Sequence, residues 1–222
     1  MIKAVLFDLD GTLVNSLEDL AVSTNYALSR FGFPTHETEK YRYFVGDGMP
    51  KLIERALPEN KRDKDTMNAV LKVFLEHYGE HFADHTRVYT GIEDLLTDIK
   101  RLKLRTAVIS NKSQKPAEAV VGKLFSPECF DIICGKREEY PAKPDPALTL
   151  KVVSELGVHT EECVLVGDSG MDMAAAKNAG IIGIGVLWGF RTEDELKSNG
   201  ASYIVDSPKK IAEIIMQLNK HS

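Results

Sequence analysis

Short apolar runs separated by stretches of helical spacing cover most of the chain. The runs AVLFD (4–8), TAVIS (106–110), CVLVG (163–167) and IIGIGV (181–186) do not follow strict alternation of apolar and polar positions. A strand covered by helices on both faces needs apolar side chains on both, so these runs predict buried strands of a parallel sheet. Between them, KPAEAVVGKLF (115–125), DPALTLKVVSELG (145–157) and MDMAAAKNAG (171–180) carry apolar residues at helical spacing. The last two stop at Gly157 and Gly180, a usual helix ending. SYIVD (202–206) predicts a final edge strand, followed by a closing helix near 208–219. Alternating strands and helices predict an α/β fold with a doubly wound parallel sheet.

Residues 16–86 break this rhythm. LEDLAVSTNYALSRFG and TMNAVLKVFLEHYGEHF have helical patterns, and no convincing strand lies near them. A helical insertion fits the contrast, with the sheet domain formed by residues 1–15 and 87–222 and hinges near Leu13–Ser16 and His85–Tyr89.

Length and composition narrow the function. A chain of 222 residues accommodates one well-filled core plus a smaller accessory domain. Its net charge is −5 and its lysines and arginines form no long block, which argues against a nucleic-acid partner. No apolar window approaches the length of a bilayer, so no membrane partner is expected, and the N-terminal residues read as a first strand rather than a leader. The three cysteines, Cys129, Cys134 and Cys163, cannot all pair and lack metal-type spacing. They read as small buried hydrophobes in a reduced, cytoplasmic protein.

The chemistry gathers at strand ends. In open parallel sheets, ligands bind beyond the carboxyl ends of the strands. Asp8 follows VLF, Ser110 and Asn111 follow AVI, and Asp168 follows VLVG. Asp8, Asp10, Asp168 and Asp172 in one crevice would repel one another unless a cation or protons compensate. Mg²⁺, which takes a few carboxylate oxygens and fills its remaining positions with water and phosphate, suits such a set better than zinc. Asp8 can then act as a nucleophile that takes a phosphoryl group, and Asp10 as the acid and base that serves both half-reactions. Phosphoryl transfer depends on positioning and charge neutralisation, for which Ser110, Asn111 and Lys143 are candidates. Each residue also has an ordinary structural use. Ser110 and Asn111 suit a turn or cap, Lys143 a solvated surface, and Asp168 and Asp172 the start of a helix.

Four motifs in order, DLDGT (8–12), SN (110–111), KP (143–144) and GDSGMD (167–172), resemble those of the haloacid dehalogenase superfamily. The resemblance implies a Rossmann-like core, an α-helical cap over the site, and Mg²⁺ held by the Asp8 side chain, the Asp10 main-chain oxygen and Asp168. It also implies that Asp172 supports the metal shell and that Ser110, Asn111 and Lys143 hold the phosphoryl group of a small phosphorylated metabolite. The stretches 43–57, 89–96 and 188–208 resemble phosphoglycolate phosphatases of subfamily I, which implies 2-phosphoglycolate as substrate. Arg42, Lys51 and Arg55 are cap cations able to meet a carboxylate or simply to solvate a helix face.

Pyrophosphatases, sugar-phosphate phosphatases and phosphomutases share these motifs. GMPK (48–51) has the Gly-x-x-Lys spacing of phosphonoacetaldehyde hydrolases, but those usually lack the second aspartate retained here as Asp10. A non-catalytic phosphate-binding regulator would be expected to lack Asp8 or Asp10, and both are present.

Overall fold

A computed structural model describes residues 1–220. The chain divides into two compact units, Met1–Val14 with Val88 onward, and Asn15–Arg87.

The first unit holds a six-stranded parallel sheet. Its strands are β1 (Ala4–Phe7), β4 (Arg105–Ser113), β5 (Ile132–Lys136), β6 (Cys163–Gly167), β7 (Ile182–Val186) and β8 (Tyr203–Val205), in the order β5-β4-β1-β6-β7-β8. The chain runs outward from central β1 through β4 and β5, then returns to β1's other side and continues through β6, β7 and β8. That reversal beside β1 is the topological switch point at which open sheets of this type bind ligands. The remaining strands, β2 (Val14–Asn15) and β3 (Arg87–Val88), pair with each other.

Helices α4 (Ile92–Arg101), α5 (Gln114–Leu124), α6 (Ala147–Leu156), α7 (Gly170–Ala179), α8 (Glu193–Ser198) and α9 (Lys209–Lys220) complete this unit. All four residues of β1 are buried. Ala4 and Leu6 pack on Leu148, Val152 and Leu156 of α6 and on Ala175 and Ala176 of α7. On the other face the ring of Phe7 meets that of Phe130 edge to face, with centroids 6.4 Å apart. Burial on both faces explains why the strand carries no alternation, and the edge position of β8 agrees with the sequence expectation. Strand β5 escaped the sequence reading: IICGK is short and half-buried at its start. Strand β4 runs three residues beyond the expected end at Ser110.

All three cysteines are free, and Cys134 and Cys163 are buried. Burial pushes the Cys163 thiol up to about 12, which keeps it an inert hydrophobe.

The second unit is helical, built on α1 (Leu17–Arg30), α2 (Met49–Ala56) and α3 (Lys64–His81). Asp19 on α1 is 1% exposed and ties down the returning chain. Its carboxylate accepts hydrogen bonds from the main-chain N–H of His85 (2.9 Å) and Thr86 (2.8 Å) and from the Thr86 hydroxyl (2.6 Å). Among the described residues, no helix is long and apolar enough to cross a membrane.

Candidate active site

The parallel register brings the chemistry to one rim. Phe7 aligns with Val108 on one side and with Val166 on the other, so Asp8, Ser110 and Asp168 all follow at the carboxyl end. The N–H of Asp8 still donates to Val166 (2.9 Å), which fixes the residue at the strand end before the chain turns. Gly11 makes the turn, with φ +92°, a conformation that favours glycine. A Cβ at Gly11 would lie 2.3 Å from Asp168 Oδ2, so the close approach of backbone to carboxylate also demands glycine.

Asp8, Asp168 and Asp172 are buried, and each offers an oxygen within 4.8 Å of the others. Lys143, 3% exposed, enters this cluster. Its ammonium donates to Asp8 Oδ1 (2.6 Å), Asp172 Oδ1 (2.5 Å) and the carbonyl of Ile109 (2.9 Å). A lysine with three such acceptors is a fixed charge rather than a solvated surface group. Burial works to lower the Lys143 pKa, but Asp172 and Asp8 outweigh it and hold the ammonium above its ordinary range. Burial, with help from Asp172, raises Asp168 to about 7, against the opposing Phe190 N–H. Burial likewise raises Asp8, opposed by Lys143 and reinforced by Asp172 and Asp168. The cluster is thus short of positive charge even with Lys143 in place.

The other expected residues take distinct positions. Asp172 uses both oxygens within the protein: Oδ1 on Lys143, and Oδ2 accepting from the Ser169 N–H (3.1 Å) and hydroxyl (2.6 Å). It therefore caps α7 and orients Lys143. The Asn111 side chain lies against the Lys143 backbone. Its Oδ1 accepts from the Lys143 N–H (2.8 Å) and its Nδ2 donates to the Lys143 carbonyl (3.2 Å). The amide is largely spent on the Lys143 backbone, so its first task is to place that residue. The Ser110 hydroxyl accepts from the Lys112 N–H (3.1 Å). Asp10 sits apart from the three-carboxylate group, with its Oδ2 3.0 Å from Lys112 Nζ.

Two further groups touch these residues. Lys112, which the sequence did not single out, is 6% exposed and paired with Asp10. In the segment Trp188–Phe190, the half-buried Trp188 donates its indole N–H to the Thr12 carbonyl (3.0 Å), and the N–H of the buried Phe190 donates to Asp168 Oδ2 (2.7 Å). Lys112 and Trp188 each lie two residues past the end of a buried apolar run.

The donor set fits a hard divalent cation. Buried carboxylate oxygens with residual negative charge suit Mg²⁺, and no sulfur or imidazole group competes among the described residues of this cluster.

Comparison with known proteins agrees with this geometry. Residues 5–186 match the model of the haloacid dehalogenase-like hydrolases. A phosphoglycolate phosphatase from Chromobacterium violaceum is 35% identical over 217 residues, covering 96% of each chain. Among solved structures, a predicted phosphoglycolate phosphatase from Haemophilus somnus superposes with a TM-score of 0.89 at 28% identity, over 96% of this chain and 97% of that one. A mutant of CbbY from Rhodobacter sphaeroides, in complex with xylulose-(1,5)bisphosphate, gives a TM-score of 0.73 at 27% identity, over 94% and 95%. On its motifs, its sheet and this match, the chain belongs to the haloacid dehalogenase-like hydrolase family.

Proposed function

We propose that this protein is a Mg²⁺-dependent phosphatase that hydrolyses a small phosphate monoester, 2-phosphoglycolate foremost, through a phosphoryl group carried on Asp8. The observation that supports it most is the placement of Asp8 at a strand end within a buried cluster of Asp168, Asp172 and Lys143.

In this reading Asp8 attacks phosphorus while the bond to the ester oxygen breaks, and Asp10 gives its proton to that oxygen. Asp10 then takes a proton from water as the water attacks phosphorus, which releases inorganic phosphate and regenerates the Asp8 carboxylate. Lys143, immobilised by Ile109, Asp8 and Asp172, opposes the charge of the phosphoryl oxygens. Ser110 lies at the same rim to donate to one of them. The Asp8 side chain, the Asp10 main-chain oxygen and Asp168 would hold Mg²⁺, which when bound neutralises phosphate charge. Residues 16–86 take the cap role.

The substrate assignment rests on the relatives named phosphoglycolate phosphatase. A sugar phosphate is the second reading, favoured by the likeness to the CbbY complex.

Phosphate release from 2-phosphoglycolate, pyrophosphate and sugar phosphates, with Mg²⁺ and with chelator, tests both levels. A Mg²⁺-dependent preference for 2-phosphoglycolate that disappears in Asp8→Asn is expected. Preference for another ester replaces the substrate and keeps the mechanism. No release from any member overturns the phosphatase reading.

A further inference from the structure

Lys112 is a buried cation to which the reaction scheme gives no task. Its side chain is 3% exposed, and its Nζ lies 3.0 Å from Asp10 Oδ2. Burying an ammonium is costly, and an ion pair at this depth adds little stability over an apolar side chain of similar length. Fold stability alone is therefore a weak reason for a lysine here.

The backbone is shaped to deliver it. Strand β4 pairs with β5 at Ser110↔Gly135 and next at Ser113↔Lys136, so Asn111 and Lys112 have no counterpart on β5. Bulges of this kind re-aim side chains beside active sites. Two features accommodate the bulge. A Cβ at Gly135 would lie 2.6 Å from the Lys112 carbonyl oxygen and 2.7 Å from Gln114 Cα, so only glycine leaves room. The Gln114 side chain supplies bonds at the displaced ladder: Oε1 accepts from the Gly135 N–H (2.7 Å), and Nε2 donates to the Ile133 carbonyl (2.9 Å). Backbone, glycine and amide together turn the lysine toward Asp10.

We infer that Lys112 is a positioning residue for proton transfer, an inference that rests on the role of Asp10 given above. Its ammonium holds the Oδ2 side of the Asp10 carboxylate and so sets the direction in which Asp10 meets the leaving oxygen. Lys112 itself exchanges no proton with substrate.

The test compares leaving groups. An alkyl ester such as 2-phosphoglycolate needs its oxygen protonated as it leaves, whereas p-nitrophenyl phosphate releases a stable anion. The ratio kcat/KM reports the first phosphoryl transfer for both. In Lys112→Met it is expected to fall about 100-fold for the alkyl ester and less than about fivefold for the aryl ester, since positioned acid catalysis contributes factors of this order. Lys112→Arg should recover part of the alkyl activity. In an Asp10→Asn background, Lys112→Met should add less than about a twofold effect, because the residue acts through Asp10. If the methionine variant is not recovered folded, Lys112→Gln carries the same comparison.

Equal loss on both esters, no loss, or full additivity with Asp10→Asn overturns the role of Lys112. Asp10→Asn is the control for the underlying reading. If it loses both esters equally, the role of Asp10 falls and this inference with it. If it is selective while Lys112→Met is not, only this inference falls.

Discussion

Lys143 in the sheet unit and Lys51 in the helical unit each face two carboxylate oxygens, but the circumstances differ. Lys143 reaches Asp8 and Asp172, which lie 135 and 29 residues away, and its side chain is 2% exposed. Lys51 reaches both oxygens of Glu54 at 2.8 Å, one helical turn onward, with its side chain 44% exposed. Two other cations of the helical unit also pair close by along the chain, one exposed and one half-buried. Arg42 pairs with Glu39, and Arg55 pairs with Asp47 and donates to the Phe44 carbonyl (3.1 Å). Local, exposed pairs of this kind solvate a helix and add little. A buried pair between distant residues is assembled only by the complete fold, and it is this kind of pair that surrounds Asp8. Distance along the chain and burial, rather than charge alone, separate the site from the surface.

Four substitutions or conditions press on that contrast. The largest effect is expected from Asp8→Asn, with turnover lowered at least about 10³-fold and the circular dichroism of the folded protein retained. Substantial remaining turnover would remove Asp8 as nucleophile. Lys143→Ala comes next, because it leaves Asp8 and Asp172 buried without their cation. A loss of about 3–5 kcal/mol in urea unfolding is expected, together with loss of activity. A cost below about 1 kcal/mol would show that the buried pair behaves like a surface one.

The third effect is a pH dependence of the helical unit. His77 stacks on Tyr26 with ring centroids 4.2 Å apart, and its Nδ1 is 3.0 Å from the Ser23 hydroxyl. Burial first, then the neighbouring His81, holds its pKa below the ordinary value of 6.5, against a weaker pull from Glu80 and Asp84. The unfolded chain therefore binds more protons near that value, so this contribution to stability is present above about pH 6.5 and is lost as pH falls through it. The thermal midpoint should drop between pH 7.5 and pH 5.5 by less in His77→Phe than in the natural protein, to about the nearest degree or two. Equal slopes would assign the acid loss to other groups. The smallest effect is expected from Lys51→Ala: an unchanged thermal midpoint, and a ranking of phosphate esters that shifts only if this lysine leaves Glu54 to meet a substrate carboxylate. An unchanged ranking returns Lys51 to the solvated helix face.

What could be read from the chain follows the same divide between local and distant. Strand β6 occupies Cys163–Gly167 as its apolar run predicts, because burial on both faces leaves a purely local imprint. Asp8 and Asp168 were legible for the same reason, as acids ending such runs. Strand β5 was not, since IICGK is too short and mixed to stand out without its neighbour β4. Lys112 was hidden by the bulge, which depends on pairing with a segment more than 20 residues away. The bond between Asn111 and the Lys143 backbone was likewise not legible, because Lys143 comes beside it only through the fold.

The indole of Trp188 gives the protein an optical property of its own. The chain contains one tryptophan, and its N–H is bonded to the carbonyl of Thr12, the last residue of the DLDGT loop. Indole emission responds to the polarity and hydrogen bonding of its surroundings. Excited at wavelengths too long for the seven tyrosines to absorb, the unlabelled protein therefore emits from a single indole fastened to the loop that carries Asp8 and Asp10, and rearrangement of that loop is readable as a change in colour or intensity without any added dye.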